Sequence, residues 1–146
     1  MSDTTYRIAT ESDVAKLKQL TDSMLAHTSL GVATELKIRG LVNSPITLVM
    51  LAFSNEDLIG FICGVVHESV FNTTKRVSDI GLYVAPEHRS GIVAAVLIEH
   101  LETWAMRQGA RQVWLGQTTG DYPRLVERFY NRLGYKTQGF NCLKEL

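Results

Sequence analysis

The chain has 146 residues, of which 45% are apolar and 21% charged. This is globular usage for a single domain over residues 1–146, large enough to bury a core, and it excludes a disordered chain. Fifteen basic and fifteen acidic residues cancel, so there is no general pull toward nucleic acid or anionic lipid, although a local basic patch is compatible with that balance.

No apolar run approaches the roughly 18 residues of a membrane span, and Met1 to Tyr6 lack the basic start and apolar stretch of a secretion signal. A cytoplasmic protein is expected. Cys63 and Cys142 lie far apart in apolar or strand-like surroundings, which favours two buried thiols in a reducing compartment over a disulfide. Neither has a metal-ligand spacing, so no metal is expected.

Tyr6 to Ala9 reads as a short strand. Thr10-Glu11-Ser12-Asp13 reads as a capping box, and Val14, Leu17, Leu20, Met24 and Leu25 follow at helical spacing. A second, weaker helix is predicted over Thr34 to Leu41, closed by Pro45. The period then changes. Ile46 to Phe53 and Leu58 to Val66 are apolar β-rich runs around Ser54-Asn55-Glu56-Asp57, a hairpin signal. A further strand is predicted over Arg76 to Val84. These runs are apolar on both alternations, which implies a sheet covered on both faces.

Pro86 ends that strand. A helix beginning near Val93 carries Val93, Val96, Leu97, Leu101 and Trp104 on one stripe, with Gly109 as its stop. Val113 to Thr118 is the next predicted strand. Pro123 opens a helix bearing Leu125, Val126, Phe129, Tyr130 and Leu133, ended by Gly134. Lys136 to Leu146 is predicted to close the sheet. The order β-α-α-β-β-β-α-β-α-β describes an α/β fold with a mixed sheet between helices. Trp104 and Trp114 are both assigned to the core.

The most informative stretch is Leu82-Tyr83-Val84-Ala85-Pro86-Glu87-His88-Arg89-Ser90-Gly91-Ile92-Val93-Ala94. Strand, turn and helix start bring free amides and the helix dipole to one point, a site for anionic oxygens. Ser90 and Gly91 allow close backbone approach and Arg89 adds charge, so a pyrophosphate is the natural ligand. An ordinary strand-to-helix connection with a surface arginine would read the same way. No Gly-x-Gly-x-x-Gly follows the first strand and no Gly-Lys-Ser/Thr loop is present, which disfavours dinucleotide and Walker-type sites.

Strand order, Val84-x-Pro86-Glu87-x-Arg89 and the long following helix resemble the GNAT (GCN5-related N-acetyltransferase) superfamily. The family's acetyl-CoA loop, Arg/Gln-x-x-Gly-x-Gly/Ala, aligns without gaps to Arg89, Ser90, Gly91, Ile92, Val93 and Ala94. Arg89 and Ala94 match. Ile92 stands where the first glycine usually lies, and Gly91 is one place early. A second segment, Phe129-Tyr130 through Gly134-Tyr135, is similar to the family's Phe-Tyr-x-x-x-Gly-Phe/Tyr signature.

The resemblance implies a mostly antiparallel sheet, acetyl-CoA as cosubstrate and transfer to a primary amine. Tyr130 then approaches the CoA sulfur and donates to the departing thiolate; on the residues alone it reads as a packed helix-face aromatic. The resemblance also puts carbonyl-polarising amides at a bulge around Leu82, Tyr83 and Val84, on a strand that pairs with the pantetheine arm. The attacking ammonium must lose a proton. Candidate bases are Asp79, Glu68, His67 and His88. Asp79 is preferred, as a central carboxylate read on one alternation face with Gly81 and Tyr83, and Glu68 is next. His67 also reads as a satisfied rim histidine and His88 as a cap of the turn.

Gln117, Thr118 and Thr119 border the expected acceptor cleft. The loops implied to set selectivity, Thr28 to Thr34 and Thr137 to Asn141, carry no acidic cluster, which disfavours polyamines and aminoglycosides. The brief C-terminal tail suggests that a second subunit closes the cleft in a homodimer. A non-catalytic CoA-binding or regulatory module with this fold remains the alternative.

Overall fold

The computed structural model describes residues 3–117 and 122–146. Five strands, β1 (Thr4–Ile8), β2 (Thr47–Ser54), β3 (Asp57–Glu68), β4 (Lys75–Val84) and β5 (Gln112–Trp114), lie in sequence order across one sheet. The first four pair antiparallel and β5 joins β4 in parallel.

The helices are α1 (Val14–Leu25), α2 (Glu35–Val42), α3 (Ile92–Arg107) and α4 (Pro123–Arg132). The β2–β3 connection is a two-residue turn, with Ser54 opposite Asp57 and Asn55 at a φ of 55°, a conformation that asparagine tolerates well. A 3-10 turn over Pro86–His88 separates β4 from α3.

Alternation along β2 divides the core. Leu48, Met50 and Ala52 join Val77, Leu97, Ile98 and Leu101 beneath α3. Val49, Leu51 and Phe53 join Val14, Leu17 and Ile38 beneath α1 and α2. The sheet is therefore covered on both faces, as its doubly apolar strands require. Trp104, on α3 itself, packs half-buried against that core as expected. Trp114 does not serve the core: it is exposed, and the Arg76 guanidinium lies 5.2 Å from its ring.

The predicted capping box forms around a stronger device. The Thr10 amide donates to Asp13 at 2.7 Å, and Arg7 donates two hydrogen bonds to the same buried carboxylate at 2.7 and 2.8 Å. Bidentate pairing of this kind is among the strongest in proteins. The Arg7 guanidinium holds the Asp13 carboxyl down at about 2.

Two further expectations fail. Residues 136–146 form no strand; this tail instead runs beside α4, where Thr137 donates to Glu127 at 2.6 Å and Asn131 to the Tyr135 carbonyl at 2.8 Å. Cys142 lies exposed on that tail, and only Cys63 is buried; neither is in a disulfide. Among the described residues no helix is long and apolar enough to cross a membrane, and no acidic, histidine or cysteine group could hold a metal ion.

Candidate active site

The site grows from an interruption in β4. Cys63 pairs with Gly81 and Gly64 with Asp79, leaving Ile80 as an extra residue. Such a bulge reverses alternation. Before it, Val77 faces α3; beyond it, Leu82 and Val84 face α3 while Tyr83 turns toward α1 and α2. The expected bulge around Leu82 to Val84 is therefore corrected to Ile80. Asp79 likewise does not share a face with Gly81 and Tyr83, because the extra residue lies between them. A trace of this was present in sequence: the apolar positions switch from Val77 to Ile80, Leu82 and Val84.

β5 pairs with β4 only through Arg76, Val77 and Ser78. Beyond Ser78 that edge of β4 has no strand partner among the described residues. Backbone groups of this half-strand that face away from β3, the Val84 carbonyl held by Arg89 aside, could pair with an extended ligand, which would add as a strand does.

At the end of the open edge, the chain turns through Pro86–His88 into α3. Gly91 has a φ of 88°, a left-handed conformation in which a side chain is strained. The first bond into the helix runs from the Ala95 amide to the Gly91 carbonyl at 3.0 Å. The amides of Ile92, Val93 and Ala94 thus precede the ladder, and with the helix dipole they form a ready anion site.

Ile92 does not block it. As the first helical residue it needs no positive φ, and its side chain is 68% exposed. The turn that a glycine at position 92 would be expected to make is made one residue earlier. Ser90 is exposed in this turn, where its amide donates to the His88 carbonyl at 3.1 Å. Arg89 donates from Nε to the Val84 carbonyl at 2.7 Å, and its guanidinium lies 5.1 Å from the Tyr83 ring. It therefore ties the turn to the strand end.

α4 brings Tyr130 to the α3 side of the sheet, packed with Phe129 and Tyr135. One residue missed in sequence joins it to Asp79. The Gly116 amide donates to Asp79 Oδ1 at 3.0 Å, and the Tyr130 hydroxyl donates to the Gly116 carbonyl at 3.2 Å. No sequence pattern marked Gly116, whose place depends on the parallel β4–β5 register.

Burial pushes the Asp79 carboxyl up to about 6 against the pull of the Gly116 amide. Burial, then the charge of Asp79, raises the Tyr130 phenol as well. The pair is a carboxylate poised near neutrality beside a phenol that keeps its proton, suited to proton uptake and hydrogen-bond donation respectively.

The other candidates lie elsewhere. Glu68 is exposed at the far end of β3 opposite Lys75, four residues or about 13 Å along the strand from Asp79. The structure does not bring it to the pair. His67 is engaged at the rim, its Nε2 3.0 Å from Ser78 Oγ. His88 sits in the 3-10 turn, its amide bonded to the Ala85 carbonyl at 2.9 Å. Thr118 and Thr119 fall outside the described residues. Ser29, in the first of the two segments assigned to selectivity, donates from its hydroxyl to Glu145 of the C-terminal tail at 2.5 Å.

No curated protein matches the sequence. Among solved structures, AAC(6')-Iy in complex with the bisubstrate analog CoA-S-monomethyl-acetylneamine superposes with a TM-score of 0.83 at 16% identity, over 99% of each chain. A ribosomal-protein-alanine N-acetyltransferase from Brucella melitensis biovar Abortus 2308 gives 0.78 at 15% identity, covering 98% of this chain and 99% of that one. The aminoglycoside acetyltransferase HMB0005, from an uncultured soil metagenomic sample, gives 0.80 at 16% identity over 99% of each. At such identities the likeness establishes the fold. The acetyltransferase (GNAT) family profile matches residues 17–135, most of the chain, and the protein belongs to that family of acetyl-CoA-dependent acetyltransferases.

Proposed function

We propose that the protein is an N-acetyltransferase of one domain, moving the acetyl group of acetyl-CoA to a primary amine by direct attack. The observation that carries this reading is one continuous track. Left-handed Gly91 opens the first-turn amides of α3 at the end of a β4 edge that, among the described residues, has no strand partner back to Asp79. Amides of Ile92, Val93 and Ala94, with that of Gly91 near them, would hold the pyrophosphate beside exposed Ser90, whose own amide is spent on the His88 carbonyl. Leu82, Tyr83 and Val84 would pair with the pantetheine arm. Arg89 would hold the turn in shape for both.

In this reading Asp79 takes a proton from the incoming ammonium, directly or through water. The amine nitrogen bonds to the thioester carbon, a free amide beside the Ile80 bulge steadies the oxyanion, and the carbon–sulfur bond breaks. Tyr130 donates to the departing thiolate. The two groups are coupled: once Asp79 is protonated its charge no longer raises the phenol, so Tyr130 becomes a better acid when the thiolate needs it. Loss of the amine's second proton completes the amide.

Relatives in this fold include enzymes named for ribosomal protein alanine and for aminoglycosides. The absence of acidic residues from Thr28–Thr34 and Thr137–Asn141 favours an acceptor other than a polycation. We place the protein in the cytoplasm, where the Cys63 thiol would stay reduced, and as a homodimer in which exposed Val70 and Phe71 are covered. A monomeric mass in sedimentation at high concentration would exclude the dimer.

Calorimetry with acetyl-CoA followed by thiol detection with an amine panel tests the activity. Binding heat and acceptor-dependent thiol release are expected. Absence of binding heat would overturn the reading, and heat without thiol release from any amine would leave a CoA-binding module.

A further inference from the structure

Tyr135 closes the second segment singled out in the sequence, yet the proposed reaction gives it no part. It lies three residues beyond α4, on the α3 side of the sheet with Tyr130. Its main chain is tied to the end of that helix. Gly134 turns the chain at a φ of 97°, and the Tyr135 amide then donates to the Tyr130 carbonyl at 3.1 Å. Asn131 Nδ2 donates to the Tyr135 carbonyl at 2.8 Å. The two tyrosine rings lie 6.3 Å apart at 52°, a tilted aromatic pair. Tyr130 and Tyr135 are therefore one mechanical unit.

The far end of Tyr135 is fixed to a different element. Its hydroxyl donates to Glu102 Oε2 at 2.7 Å, the length of a bond to a charged acceptor. Burial, then this bond, pushes the Tyr135 phenol up, so it keeps the proton it donates. Glu102 stands on α3, where Ile98, Leu101 and Ala105 are buried and anchor the helix in the core. α4, by contrast, buries none of its residues fully. Among the described residues, no other side-chain hydrogen bond joins α3 to α4 or to the segment after it.

We propose that Glu102 and Tyr135 are positioning residues for Tyr130, a strut that sets the distance of α4 from α3 and so aims the Tyr130 hydroxyl. The inference rests on the reading of Tyr130 as donor to the leaving thiolate. The bond from the Tyr130 hydroxyl to the Gly116 carbonyl is long at 3.2 Å and holds the ring weakly. Placement then depends on the helix that carries it, and an error of about 1 Å in a catalytic group can cost about 100-fold in rate.

The full chain labelled with 3-fluorotyrosine reports this geometry without turnover, since Tyr6, Tyr83, Tyr122, Tyr130 and Tyr135 give five signals that single Tyr→Phe changes assign. Tyr135→Phe keeps the ring and removes the strut. The Tyr130 signal should then shift or broaden while that of Tyr6 stays in place. Glu102→Ala should repeat the change, and Glu102→Gln, which keeps an acceptor, should largely reverse it. In unlabelled protein, with acetyl-CoA and the panel amine that releases thiol fastest, Tyr135→Phe should lower kcat about five-fold or more at unchanged acetyl-CoA affinity. Glu102→Gln should retain most of the turnover that Glu102→Ala loses. In a Tyr130→Phe background Tyr135→Phe should cost nothing further, because no hydroxyl is left to aim.

A Tyr130 signal indifferent to Tyr135→Phe overturns the proposal. So does a kcat loss that adds in full to that of Tyr130→Phe, or one matched by an equal loss of acetyl-CoA affinity. A Tyr130 signal that responds while Tyr130→Phe keeps full turnover, or while no amine releases thiol, would keep the strut and overturn the catalytic reading alone.

Discussion

Replacing Asp79 by asparagine isolates the electrostatic tension in the site. The amide imitates the protonated acid and can still accept from the Gly116 amide. Burial moves the wild-type carboxyl from 3.8 to about 6. A folded-state value above the unfolded one means that stability is present in full below the unfolded value and is lost as pH rises through the folded one. A shift of about 2 units corresponds to about 3 kcal/mol, of which about 2 kcal/mol falls between about pH 4 and pH 7. Urea unfolding of both proteins across that range should show Asp79→Asn gaining about 2 kcal/mol on wild type as pH rises, because every other titrating group cancels in the comparison. The stabilised variant should also lose the ascending limb near pH 6 in kcat/KM. A stability difference that stays constant with pH would refute the claim that Asp79 is a desolvated carboxylate, and with it the physical case for this residue as the base.

Tyr130→Phe should lower kcat about ten-fold or more while leaving acetyl-CoA affinity nearly unchanged, as single-turnover kinetics and calorimetry would show; unaltered turnover would remove its role as leaving-group donor. Arg89→Ala should weaken CoA binding by loosening the tie to the Val84 carbonyl, and calorimetry should find the loss of affinity in Arg89→Lys as well, since lysine lacks the Nε and the planar stack on Tyr83. At the other end of the sheet, Arg7→Met should destabilise the fold by about 2 kcal/mol at neutral pH. The Asp13 carboxyl is held below its ordinary value, so this contribution is present above about pH 4 and fades as pH falls toward 2, which acid titration of the two proteins would follow.

Local chemistry was legible in the sequence wherever one residue type has one physical use. Asn55 in a two-residue turn, Thr34 before α2, and Gly109 and Gly134 after α3 and α4 all stand at element boundaries in the structure. Strands apolar on both alternations required helices on both faces. The strand–turn–helix geometry at Gly91 was legible for the same reason, since strand, glycine and amphipathic helix follow within a dozen residues.

Tertiary structure decided what depended on pairing between distant segments. A one-residue bulge at Ile80 reversed the face of everything after it and put Asp79 with Tyr130 instead of Tyr83. β5 ended after three residues, leaving the β4 edge beyond Ser78 without a strand partner among the described residues, and Gly116 came between the acid and the phenol. The final segment, read as a strand, found its hydrogen bonds on α4. Periodicity reports which residues share a face only while the register is unbroken. Where it breaks is settled by packing across the sheet, a contact between residues far apart in the chain that no local pattern records.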